Sequence, residues 1–156
     1  MTARDYLRQL WRLAEQIRIL QADIETDFAR LTGTSVQLSA DRVQTSPSGD
    51  KFADMMAALA DKELQRDWLL LDFRLQRQVI VNQIAGMANP NYARLLFEHY
   101  ANQKPLIIVA EEMHFSYSYL RRMHGAALAE FARQYPELKE DTQRYTHTCY
   151  NDSVKT

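Results

Sequence analysis

The sequence predicts an all-α fold, a long antiparallel helical hairpin followed by a compact helix-turn-helix. Three observations carry this. Two long segments repeat apolar residues at helical spacing. Only 4 Gly and 4 Pro occur in 156 residues, too few for a sandwich or barrel that turns roughly every 8–12 residues. The C-terminal third breaks into three short helical patterns around Pro90, Pro105 and Ser116.

The first element runs from Ala3 to Leu31. Its apolar positions, Ala3, Leu7, Leu10, Ala14, Ile17, Ile24, Phe28 and Leu31, form a heptad seam with one polar interruption at Gln21. Tyr6, Trp11, Leu13 and Leu20 widen the stripe, as expected for a helix with more than one neighbour. At 1.5 Å per residue it would extend about 44 Å, too long for one small globule to cover. Thr32–Gly49 is loop chemistry, with Thr32-Gly33-Thr34-Ser35 and Thr45-Ser46-Pro47-Ser48-Gly49. Val36, Leu38 and Val43 are too sparse to predict a strand, and a loop this long suggests mobility or a partner.

The second long helix is expected from an N-cap at Asp50 to about Met87. One stripe reads Phe52, Met56, Leu59, Glu63, Arg66, Leu70, Phe73, Arg77, Ile80, Ile84 and Met87, and a second reads Leu64, Trp68, Leu71, Leu75 and Val79. Two stripes imply two packing partners: the first helix, and either a second copy or the C-terminal domain. Core packing is the preferred reading for both stripes, with Trp11 and Trp68 able to stack in one core.

Asn89-Pro90-Asn91 is a stop and restart, with Asn91 the expected N-cap, and the domain boundary is placed there. Residues 1–89 form the expected oligomerising hairpin, 90–136 the helix-turn-helix domain, and 137–156 a polar, mobile tail. In the second domain a helix over Tyr92–Tyr100 precedes a turn at Asn102-Gln103-Lys104. Pro105 suits the first position of the next helix, Leu106–Met113. A short turn at His114-Phe115 leads to the cap candidate Ser116 and a helix from Tyr117 to about Arg133, ended by Pro136. Leu120, Ala127, Leu128 and Phe131 should face inward. Tyr117, Ser118, Arg121 and Arg122, with Met123 or His124, should face outward.

A helix fits the DNA major groove and its first turns reach base edges. Arginine clamps guanine or phosphate, while hydroxyls and the helix N-terminus hold phosphate. The DNA-binding candidates are therefore Lys104, Ser116, Tyr117, Ser118, Arg121 and Arg122. The run Leu106-Ile107-Ile108-Val109 has more apolar side chains than one small domain can bury, which marks Ile107 and Ile108 as a partner interface.

The stretch Tyr92–Arg133 resembles the sigma-region-4-like helix-turn-helix of phage and prophage transcription regulators, a family related to the RinA and ArpU late-gene regulators. The residues that carry it are Leu95-Leu96-Phe97-Glu98-His99-Tyr100, Val109-Ala110-Glu111-Glu112-Met113, Phe115-Ser116-Tyr117 and Leu120-Arg121-Arg122-Met123-His124-Gly125-Ala126-Ala127-Leu128. A long N-terminal helical pair with a Ser-Pro loop, here Thr45-Ser46-Pro47-Ser48-Gly49-Asp50, also agrees with that family. The resemblance implies a DNA-binding regulator with double-stranded DNA as partner, and the helical hairpin is the expected dimerisation element. This chain departs from the family at Ile107 and Ile108, where acidic or polar residues are common, and at Ser118 and Ala126, where basic ones are.

Charge sets the alternative. The whole chain carries 19 Lys+Arg and 20 Asp+Glu, a net charge of -1. Between Pro90 and Pro136 five basic residues (Arg94, Lys104, Arg121, Arg122, Arg133) face four acidic ones (Glu98, Glu111, Glu112, Glu130), a net of +1. Few phosphate contacts predict weak, salt-sensitive binding by a monomer. The second expectation is therefore a non-enzymatic helical adaptor whose degenerate helix-turn-helix binds RNA polymerase or another phage protein.

Other chemistries lack a residue set. No G-x-G-x-x-G or P-loop motif is present. The single cysteine, Cys149, excludes an intramolecular disulfide and a cysteine zinc cluster. The one E-x-x-H, Glu111 to His114, has no second copy to make a di-iron bundle. His99, His114, His124 and His147 lack ligand spacing, with His99 expected packed or solvated and His124 facing DNA or packed beside Gly125. No cofactor, metal or catalytic function is expected. Without an apolar leader or a run of roughly 20 apolar residues, the expected setting is cytoplasmic and away from membranes.

Overall fold

The computed structural model describes residues 1–33 and 48–138. Every element among them is helical: α1 (Ala3–Leu7), α2 (Gln9–Gly33), α3 (Ser48–Ala85), α4 (Pro90–Leu96), a π-helical turn (Phe97–Ala101), α5 (Leu106–Glu112) and α6 (Tyr117–Gln134). The all-α expectation therefore holds. Most of the loop expected over 32–49 lies outside the described residues, as do the tail beyond Leu138, His147 and Cys149.

The chain divides into two compact units, and both cuts fall within helices. Met1–Trp11 groups with Gln76 onward, and Arg12–Leu75 forms the other unit. The sequence places its boundary at Asn89-Pro90, where the structure has a helix break rather than a unit boundary.

In the unit Arg12–Leu75, α2 and α3 pack with opposite chain sense. Arg66 of α3 donates to Gln21 Oε1 at 3.1 Å, Lys62 reaches Asp23 at 2.6 Å and Asp27 at 2.5 Å, and Leu59 joins Ile24 and Leu31 in a buried cluster with Leu20 against it. As α3 numbers fall, α2 numbers rise. Gln21 thus interrupts the α2 seam for a reason: it meets Arg66 on the matching α3 stripe. Three expectations of core packing need correction. Phe28 is 58% exposed, Phe52 and Met56 at the start of the first α3 stripe are exposed, and the second α3 stripe is open, with Leu64, Trp68, Leu71 and Leu75 all exposed. The helical repeat explains this, since at about 100° per residue these four positions lie roughly opposite Leu59, Lys62 and Arg66. Trp68 is 65% exposed and does not sit in a core.

In the other unit the N-terminal segment is short and separately capped. Thr2 caps α1 by accepting from the Asp5 amide at 3.1 Å, and a turn at Arg8 separates α1 from α2. The sequence predicts one continuous helix here. Ala3, Leu7 and Leu10 are fully buried, and α1 packs on α6. Tyr6 stacks on Phe131 with ring centroids 6.4 Å apart and donates to Gln83 Oε1 at 2.8 Å.

The helix boundaries follow local chemistry with small shifts. α3 begins at Ser48, so Asp50 lies in its first turn instead of capping it. The cap of α4 is Asn89, not Asn91: Asn89 Oδ1 accepts from the amides of Asn91 and Tyr92, and Pro90 takes the first helical position, where its missing N–H costs nothing. Pro105 sits one residue earlier than expected, as the extended N-cap of α5, whose carbonyl accepts from Val109 at 3.1 Å. The helix expected over Tyr92–Tyr100 loosens after Leu96 into the π-helical turn, closed by Asn102 N–H to Phe97 O at 3.0 Å.

Candidate nucleic-acid interface

The region around Ser116 is built by two helix ends. α5 stops through a Schellman-type C-terminus: Phe115 N–H reaches the Ala110 carbonyl at 2.9 Å, and His114 N–H reaches Glu111 at 3.1 Å. That motif needs a left-handed residue, and His114 occupies it with φ 58°. Ser116 then caps α6, its Oγ accepting from the Tyr119 amide at 3.3 Å. Four residues, Met113–Ser116, therefore separate α5 from α6.

α6 divides cleanly by side. Leu120, Ala127, Leu128 and Phe131 are buried against α1, α4 and α5, as the spacing predicts. Tyr117, Ser118, Arg121 and Arg122 are exposed. The Arg121 guanidinium lies 5.8 Å from the centre of the Tyr117 ring, so these two form one surface group. Among the described residues neither Arg121 nor Arg122 is held in an ion pair. Met123 and His124, offered as outward-facing, are instead 6% and 3% exposed. Positions 123 and 124 follow Leu120 by three and four residues and so share its buried side.

Lys104 stands apart from this group. Its ammonium is held by Glu112 at 2.7 Å and Glu98 at 2.9 Å. Its hydrogen bond to Glu112, followed by that to Glu98, raises its pKa above the usual lysine value. Asn102 first, then Lys104, lowers that of Glu98. Any anion drawn to Lys104 would compete with two carboxylates. Ile107 and Ile108 are 54% and 39% exposed, whereas Val109 and Ala110 on the same helix are buried.

Two features were not read from the sequence. Tyr119 is 46% exposed and packs its ring 5.1 Å from Phe115. Its place three residues after Ser116 was the available signal. The second is a buried aromatic and histidine cluster. The Tyr100 hydroxyl lies 3.0 Å from His124 Nε2, the rings of His99 and His124 meet edge-on at 5.3 Å, and Trp11 donates to the His99 carbonyl at 3.2 Å. His99 Nδ1 donates to the Lys104 carbonyl at 2.7 Å. Burial, then the neighbouring His99, pushes the His124 pKa down to about 3, and burial also lowers that of His99. These are packed, neutral histidines, and partners 24 residues apart leave no local pattern to read.

Among the described residues no three His, Cys, Asp or Glu side chains come together as a metal site, and no helix is long and apolar enough to cross a membrane. The depression along α2 lined by Ala22, Glu25, Thr26, Ala29 and Arg30 is open to solvent. A scan against protein-family models matches none, and searches of the curated proteins and of the solved structures find no match.

Proposed function

We propose that this chain is a non-enzymatic, cytoplasmic DNA-binding transcription regulator of phage or prophage type. It would bind as an oligomer through the hairpin of α2 and α3, with α5 and α6 acting as a helix-turn-helix. The observation that carries the reading is the pair Arg121 and Arg122, exposed in the first turns of a helix whose other side is buried. That is the disposition a recognition helix needs: an anchored back and cationic, hydrogen-bonding groups near its N-terminus. Tyr117 and Ser118 extend the same surface toward a phosphate backbone. Ser116 contributes as the cap that orients the helix, and Lys104 contributes less than the spacing suggested because Glu98 and Glu112 already hold it. The resemblance of Tyr92–Arg133 to sigma-region-4-like regulators supports the same reading.

The test is binding of the full chain to mixed genomic DNA fragments at about 50 and about 200 mM salt, a range over which affinity falls in proportion to the number of phosphates neutralised. Arg121→Glu combined with Arg122→Glu should abolish binding and leave helicity unchanged. Wild-type-like binding by that variant would sink the assignment.

The exposure of Ile107 and Ile108 favours a second reading, a helical adaptor that docks on RNA polymerase or another phage protein. Replacing both with Glu should then disrupt that association and spare DNA binding.

A further inference from the structure

The open stripe on α3 is a seam without a partner inside its own unit. Leu64, Trp68, Leu71 and Leu75 follow one another at intervals of four, three and four residues. That is the a/d spacing of a coiled coil. All four are exposed, by 58%, 65%, 46% and 60%. α2 lies on the other side of α3, where Leu59, Lys62 and Arg66 meet it. Polar residues, Asp61 and Gln78, occupy the next seam positions at the two ends.

We propose that this stripe pairs with the same stripe of a second copy in antiparallel orientation. Leu64 then faces Leu75 of the second copy, and Trp68 faces its Leu71, with each contact made twice by symmetry. Every layer is filled, and Asp61 and Gln78 face each other at the ends. Charge decides the orientation. Asp67 and Arg74 both flank the seam on one side, one heptad apart. Antiparallel pairing sets Asp67 of each copy beside Arg74 of the other, giving two opposite-charge contacts. Parallel, in-register pairing sets Asp67 beside Asp72, two like-charge contacts that disfavour it. Asp67 is 62% exposed and, among the described residues, is paired with its sequence neighbour Arg66 at 3.0 Å, so it is accessible to a second copy.

This deepens the oligomer part of the proposed function and does not depend on DNA binding. The full chain, without DNA, is followed by sedimentation equilibrium across a range of concentrations, with helicity as the control for folding. A concentration-dependent dimer is expected, and Leu71→Asp should make it monomeric with helicity retained. Asp67→Arg should weaken association about tenfold by turning two attractive contacts into repulsive ones. Adding Arg74→Asp should restore it. A wild-type chain that stays monomeric would overturn the proposal, whether the stripe serves a different protein or another part of the chain. So would an Asp67→Arg variant that associates as well as or better than wild type, the result parallel pairing predicts. Loss of DNA binding with the dimer intact would count against the DNA reading alone.

Discussion

His114 holds a backbone conformation that suits glycine, at the turn between α5 and α6. The left-handed region costs a non-glycine residue about 1 kcal/mol, and His114 is exposed with little packing to lose. His114→Gly should therefore raise stability by up to about 1 kcal/mol, less glycine's extra entropy in the unfolded chain, as read by denaturant midpoint. His124 makes the opposite kind of prediction. Its pKa is about 3 in the folded chain, lowered by burial and by His99, Arg4 and Arg8. The unfolded chain, with an ordinary histidine value, takes up a proton first as pH falls. The stability that depends on neutral His124 is thus present above about pH 6.5 and is lost progressively as pH drops toward 3. From about pH 7.5 to 5 this one group should cost about 2 kcal/mol. His124→Phe should flatten that part of the pH profile, and an unchanged slope would show that His124 is not held neutral.

Among the elements, the α2–α3 pair rests on a small apolar cluster. Ile24, Leu31 and Leu59 are its buried members, and Gln21–Arg66 and the Lys62 ion pairs lie along the same contact line. With so few buried side chains, each matters. Leu59→Ala should destabilise this unit by about 3 kcal/mol, seen as earlier loss of helicity on heating. The element boundaries were largely legible in the sequence. Pro90, Pro105, Ser116 and the spacing of Leu120, Ala127, Leu128 and Phe131 all act within one or two turns of helix. The break at Arg8 and the loosening at Phe97–Ala101 were not legible, because the apolar spacing continues through both. Ala3 and Leu7 before the break at Arg8 and Leu10 after it are all fully buried, so the apolar pattern runs through it unchanged.

For the whole molecule, a net charge of -1 leaves the proposed DNA affinity to a local surface. The region Pro90–Pro136 has a net of +1, and Lys104 spends its charge on Glu98 and Glu112. That leaves Arg121 and Arg122 as the cations in the first turns of α6, so the salt slope of the proposed binding should be shallow for one copy and about double for two. A monomerising Leu71→Asp variant should accordingly lose DNA affinity and show the shallower slope.

By itself the sequence determined that the chain is helical, where most helices begin and end, and that Tyr117, Ser118, Arg121 and Arg122 share the outer side of α6. Those properties follow from capping groups and apolar repeats acting over three or four residues. Only the tertiary structure decided that His124 is buried against Tyr100, that Lys104 is paired, and that Trp68 and its stripe lie open. Each of these depends on which side of an element meets another, and apolar spacing on one helix marks two stripes as equally fit for burial without saying which of them a neighbour covers.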